Sequence, residues 1–402
     1  IENVGKFFCA QYQLVMVLGN NRVGVKCVAA KPGVAMSVID IDVSILDVIQ
    51  SQSDTIRGNA MSTVTTLFWN NKGGTGKTSI AFQAICAFAK QNPSRKILAI
   101  DVCPQANLSE LMLGGLEGNG SGNLLKVQGA PVRASVGGYF QTRLPQPYQP
   151  INISYKDYIT WPALYNANVP ENIDLVCGDP LLELQSNAMS TLANNQIPGT
   201  DTWISIIKWL RDFIDSTSGN YDYIFLDANP SFSVYTQIAI AASARMVIPV
   251  MADDSSRRAV QNAFSLIYGL KLPSQIYAQH MFETRMGHGG LPLPKAHLIV
   301  KNRITQYMGG ASGYRAVLNS IERDIENLVD SNPSYFTFTK IKEGVLEIRD
   351  FQTTGVVAFA RGTPFFNLKP GKRSVGGRRI SIEQNQILDR QVEIDAFALK
   401  LG

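Results

Sequence analysis

"WNNKGGTGKTS", residues 69–79, decides how the rest of the chain is read. Gly73, Gly74 and Gly76 let the backbone take conformations that side chains forbid, so successive N–H groups can turn inward on phosphate oxygens. Lys77 follows with a cation for the β- and γ-phosphates, and the Thr78 hydroxyl is a Mg²⁺ ligand in loops of this kind. Thr75 and Ser79 complete the segment. The residues before it, "TVTTLFW" (63–69), are β-branched and aromatic, as a buried strand is. After it, Thr78 to Lys90 puts Ile80, Ala81, Ala84, Ile85 and Phe88 on one helical face. The loop therefore opens a helix, whose N-terminal dipole favours anions. One detail departs from the general pattern G-x-x-x-x-G-K-[ST]. Position 71 is Asn71 rather than glycine, and a second lysine, Lys72, stands ahead of the glycines.

Working outward, short apolar runs alternate with helical patterns. "KILAID" (96–101), "NIDLVCG" (172–178), "YDYIFLD" (221–227), "RMVIPV" (245–250) and "HLIVKN" (297–302) read as strands. Trp203, Ile206, Ile207, Leu210, Phe213 and Ile214 give 201–216 the spacing of one amphipathic helix. Such alternation predicts an α/β fold: a three-layer, doubly wound, mostly parallel sheet covered on both faces. Between the first and second of these strands, "GGLEGNGSGN" and "RLPQPYQP" mark a long irregular region, and 113–165 reads as an insertion.

Two acids end strands. "LAIDVCPQANLSE" (98–110) carries a buried run into Asp101, and "YDYIFLDANPS" (221–231) carries one into Asp227. The carboxyl ends of strands are where open α/β sheets bind ligands. Asp227 fits the acid that reaches Mg²⁺, and Asp101 can hold a metal-bound water or orient the attacking one.

KGGTGKT, IDVCPQANLSE and YDYIFLDANPS, in that order, resemble the deviant Walker A motif, switch segment and Walker B strand of the ParA/MinD family of P-loop ATPases, closest to the ParA-like partition proteins. "VIPVMADDSS", "LIVKNRIT" and "FARGTPF" fit its later landmarks more loosely, so the likeness covers most of 61–370. The resemblance implies ATP and Mg²⁺ as cofactors, with Gly73 to Ser79 binding nucleotide and Thr78, Asp101 and Asp227 serving the metal. Lys72, Lys77 and Asp101 become the candidates for catalysis. It also implies that Lys72 reaches across an ATP-dependent homodimer to the partner's phosphates, and that Asn302 and Pro364 contact adenine. The implied partners are non-specific DNA and a small partition-complex protein, in a cytoplasmic, nucleoid-associated setting. The family's second switch aspartate is here Cys103. A thiol of ordinary pKa is mostly neutral at pH 7 and a poor acceptor for a water's proton, so ATP binding is expected to survive while hydrolysis is slow. A non-hydrolysing scaffold and a MinD-like positioning protein are the alternatives.

Composition agrees with a globular chain: 402 residues, 45% hydrophobic and 17% charged, with a net charge of +5 that permits a polyanionic partner without requiring one. The five cysteines are scattered with no C-x-x-C pair, which argues against zinc ribbons and disulfide frameworks and against a metallocluster carrier. No apolar run is long enough to span a bilayer, so a soluble, intracellular protein is expected. Met61 is a candidate natural start. Residues 1–60, with strand-like runs "QYQLVMVLG", "VGVKCVAA" and "MSVIDIDVSILDVI", are expected to add little to function. "LKPGKRSVGGRRI" (368–380) carries Lys369, Lys372, Arg373, Arg378 and Arg379 without an acid, and reads as a flexible loop suited to phosphates. The closing "SIEQNQILDRQVEIDAFALKLG" mixes acids with its apolar residues. It reads as a helix docked on the domain rather than on a membrane.

Overall fold

A computed structural model describes residues 6–9, 12–19, 22–29, 38–40, 63–217, 219–270, 275–304 and 312–402. The chain divides into two compact units, Ile1–Ser62 and Thr63–Gly402. In the first, β1 (Lys6–Cys9), β2 (Tyr12–Gly19), β3 (Arg22–Ala29) and β4 (Val38–Asp40) form an antiparallel sheet in sequence order. The part of the expected strand run beyond Asp40 lies outside the described residues.

The second unit is built on seven strands: β5 (Val64–Phe68), β6 (Ile97–Val102), β7 (Ile173–Val176), β8 (Tyr223–Ala228), β9 (Arg245–Val250), β10 (Lys295–Ile304) and β11 (Val345–Arg349). Their order is β11-β10-β9-β5-β8-β6-β7, and every neighbouring pair is parallel. Side chains alternate across a strand, and here both faces are apolar. Leu98, Ile100 and Val102 of β6 join one buried cluster, while Ile97 and Ala99 join the other. Helices cover each face. The Lys77–Gln91 and Gln384–Leu399 helices pack on the second cluster, where Phe68 meets Phe397 edge-on. The predicted three-layer α/β sheet is what forms, and the C-terminal helix docks on the domain through Ile387, Ile394 and Phe397.

The structure adds detail in four places. Segment 113–165 is not simply loop: it contributes the helices Gly120–Gln128 and Val136–Arg143, and buries Val136, Tyr139, Phe140 and Tyr158 in the first cluster. Those side chains outweigh the weak helix propensity of their glycines. The 201–216 helix is interrupted at Lys208 into Thr202–Ile207 and Trp209–Ser216, although all six predicted face residues are buried. β11 passed unread, because "VLEIR" is short and half-exposed at the sheet edge. Finally, the basic stretch forms a paired hairpin rather than an open loop. β12 (Gly371–Val375) and β13 (Arg378–Ile382) pair antiparallel, with Val375 opposite Arg378. The two residues between them, Gly376 and Gly377, have φ of +55° and +78°. Positive φ at both central residues is what a two-residue hairpin turn of type I′ requires, so these glycines build the turn.

Candidate nucleotide site

The register of three central strands assembles the site. β5 runs into the glycine loop, and Phe68 lies opposite Asp227 on β8. β8 in turn pairs with β6 so that Asp227 lies opposite Asp101. Two acids and the phosphate loop therefore meet at the carboxyl edge of the sheet, at strand ends far apart in sequence.

Gly76 caps the Lys77–Gln91 helix in the left-handed region, at φ +79°. A Cβ there would lie 2.3 Å from Asn302 Nδ2, so the position is closed to side chains. Asn302 is buried and donates through Nδ2 to the Thr75 carbonyl at 2.8 Å, fastening the loop to the end of β10. Asn70 holds the other side: its Nδ2 donates to the Pro249 carbonyl at 2.7 Å, and its Oδ1 accepts the Lys72 N–H at 3.1 Å.

The two lysines go separate ways. Lys77 is buried within the loop, its Nζ 3.3 Å from the Lys72 carbonyl. Burial pulls its pKa down, against the nearby Asp227 and Cys103. Lys72 leaves the loop. Its Nζ lies 2.7 Å from both carboxylate oxygens of Asp253 and 3.1 Å from Ser256 Oγ. Asp253 caps the Asp254–Tyr268 helix by accepting the Ser256 N–H.

Thr78 Oγ1 donates to Asp227 Oδ2 at 2.7 Å, while Asp227 Oδ1 is buried without a hydrogen-bond partner. Asp101 accepts from the Ser109 N–H and Oγ through Oδ2 (2.9 and 2.7 Å) and from the Cys103 N–H through Oδ1 (3.2 Å). Burial pushes both carboxyls above the ordinary range, and the Asp227 charge raises Asp101 further. Two adjacent buried acids are stable as anions only beside a cation. The orphaned Asp227 oxygen and the Thr78 hydroxyl suit Mg²⁺. Among the described residues no group of three or more His, Cys, Asp or Glu side chains could cage a metal. The donor set thus fits an ion completed by phosphates and water, as Mg²⁺ usually is. Cys103 is buried beside these acids, and burial followed by their charges pushes its thiol up to about 12.

A cavity of about 340 Å³ adjoins the loop, lined by Gly76, Ser79, Asn302, Phe351, Gln352 and Phe359, among others. The structure thus brings together the glycine loop, Lys77, Thr78, Ser79, Asp101, Asp227 and Asn302. It leaves Pro364 out: that residue is buried beside Phe365, whose N–H donates to Gln83 Oε1, and it does not line the cavity. Sequence reading missed Asp253 and the cavity wall at 351–359. The cap pattern of Asp253 before Ser256 was legible, but its pairing with a lysine 181 positions away was not.

A sequence model of the AAA domain family matches residues 63–273, more than half of the chain. The chain belongs to this family, the ParA/MinD type of P-loop ATPase. No curated protein matches significantly. Among solved structures, apo McdA from Cyanothece is similar at TM-score 0.51 and 14% identity, over 84% of this chain and 99% of that one. An ATP complex of a Cyanothece McdA variant is similar at TM-score 0.52 and 15% identity, over 84% and 96%. The pnob8 ParA structure matches at TM-score 0.43 and 18% identity, over 71% and 81%. At such identities the likeness to the two McdA structures is one of fold.

The Lys72–Asp253 pair has a measurable signature. Partial burial raises the Asp253 carboxyl, but hydrogen bonds from Lys72, Ser255 and the Ser256 N–H outweigh it and bring the pKa down to about 2. The folded value lies below the unfolded one, so the stabilisation is complete above pH ~4 and fades as pH falls towards 2. In an NMR titration the Asp253 carboxyl should have its midpoint near pH 2, and Lys72→Ala should move it upward. An unmoved midpoint in that variant would refute the pairing.

Proposed function

We propose that the 63–402 unit is an ATP-driven dimerising switch of the partition type. The observation that carries this reading is the separation of the lysines. Lys77 stays inside its own loop, whereas Lys72 rests on a partly exposed carboxylate, with side chains 23% and 40% accessible. An exposed ion pair is a weak tie. Lys72 can exchange Asp253 for the phosphates of a nucleotide held by a second copy, where two polyanionic ligands face each other and need neutralising. ATP lies with its phosphates in the Gly73–Ser79 loop. Its adenine would lie in the adjoining cavity, with Asn302 at the wall. Thr78 and Asp227, with Asp101 beside them, would hold Mg²⁺, which would neutralise phosphate charge when bound. By size-exclusion chromatography, a dimer is expected with Mg-ATP and a monomer with Mg-ADP. Lys72→Ala should stay monomeric with either while retaining ATP binding. An oligomeric state indifferent to nucleotide sinks the proposal.

Hydrolysis is proposed to be slow. A thiol pushed up to about 12 stays protonated at pH 7 and cannot accept a proton from water, and Asp101 is occupied by Ser109 and Cys103. This favours the scaffold reading as the second alternative. In single-turnover assays Cys103→Asp should raise the hydrolysis rate by roughly tenfold or more, in the range of general-base effects. Equal rates would show that Cys103 does not limit the chemistry.

DNA is the proposed partner of the dimer, and the β12–β13 hairpin is its proposed contact. Lys369, Lys372, Arg378 and Arg379 are exposed there and Arg373 is half-buried, on a turn that holds them in place. Backbone contacts of this kind release counterions, so binding should weaken steeply with salt. Replacing the five with Gln should flatten the log–log salt slope by about one unit per lost phosphate contact; an unchanged slope would move the DNA site elsewhere.

A further inference from the structure

A second polar cavity, of about 310 Å³, lies away from the phosphate loop. Ser186 and Ser190 line it from the Leu181–Ala193 helix, Ser233 and Gln237 from the start of the Val234–Ala241 helix, and His280 and Arg285 close it. No carboxylate is among its lining residues.

Arg285 gives the cavity its chemistry. Its guanidinium carbon sits over the Trp203 ring, 4.3 Å from the centroid, in a cation–π contact. Among the described residues it donates no hydrogen bond to a protein acceptor, so a planar fork of N–H groups is held ready and unused. Partial burial pulls its pKa down, with Asp201 opposing. Asp201 is committed elsewhere, accepting the Ile204 N–H as the cap of its helix. The hydroxyls of Ser186 and Ser190 likewise have no hydrogen-bond partner among the described residues. A half-buried cation with unused donors, ringed by hydroxyls and amides, is arranged for an oxyanion. A carboxylate offers two acceptor oxygens and a terminal phosphate three, and the number of donors here matches the latter better. The volume sits at the lower end of small-molecule pockets, enough for a phosphate and a few attached atoms.

We propose that this cavity binds the phosphate group of a small phosphorylated molecule, with Arg285 as the fork and the Ser186 and Ser190 hydroxyls as flanking donors. The site is independent of the nucleotide reading. It is, however, joined to the loop by a row of rings: Trp203 meets Phe282, Phe282 meets Phe232, and Phe232 meets Trp69, which immediately precedes the loop's Asn70.

Calorimetric titration of the full chain with inorganic phosphate tests the proposal, with acetate as the second arm. Because the phosphate loop can also take phosphate, the titration is repeated in Lys77→Ala. A binding component with a Kd of about 1 mM should survive that change. Arg285→Gln should weaken this component by about tenfold or more, the loss of charge-assisted hydrogen bonds. Ser186→Glu, which leaves the Arg285–Trp203 stack in place and sets a like charge in the cavity, should abolish it, and keeps the test decisive if Arg285→Gln fails to fold. Acetate should bind more weakly than phosphate. The proposal is overturned if no phosphate component survives Lys77→Ala, if Ser186→Glu leaves that component unchanged, or if acetate binds as well as phosphate.

Discussion

The pairing of β8 with β6 is the constraint on which the site depends. It sets Asp101 directly opposite Asp227 in a fully buried position, which two carboxylates occupy at a cost unless a cation accompanies them. The surroundings are organised around that problem. Ser109 and the Cys103 N–H satisfy Asp101, Thr78 satisfies one oxygen of Asp227, and Lys77 approaches from the loop. One oxygen of Asp227 remains without a partner. Two buried acids beneath the glycine loop, with one oxygen unpartnered, form a place that a cation suits.

The parts of the fold visible in the sequence are those specified by neighbours along the chain. The glycine loop, its strand and its helix form one continuous signal, and the strands before Asp101 and Asp227 announce themselves by apolar runs that are buried on both faces. Reading failed where long-range partners decide. Nothing near Lys72 identifies Asp253, and nothing near Asn302 says that its amide will be taken by the Thr75 carbonyl. The hairpin at 371–382 failed for a different reason. A Gly-Gly pair has two readings, flexibility and a turn with positive φ, and only the pairing of the flanking residues chooses between them. In 113–165 the glycines suggested loop, while four aromatic or branched side chains found room in the core and carried their backbone into helices.

The lysines illustrate how one loop can serve two purposes. Lys77 is enclosed by its own loop, its Nζ near the Lys72 carbonyl. Lys72, a few residues earlier, is turned outward because Asn70 anchors the loop behind it and Asp253 offers an acceptor beyond it. Position in the motif did not dictate that difference; the walls around each residue did.

The contact between Gly76 and Asn302 has a consequence for how this site can vary. The amide fills the space that any side chain at 76 would need, and the same amide supplies the donor for the Thr75 carbonyl. A larger residue at 76 is blocked while Asn302 is present, and a smaller residue at 302 orphans a backbone acceptor while the positive φ at 76 still calls for glycine. Neither position can be altered first without loss, so the two behave as a single heritable unit, 226 positions apart in sequence and fixed together by one shared volume.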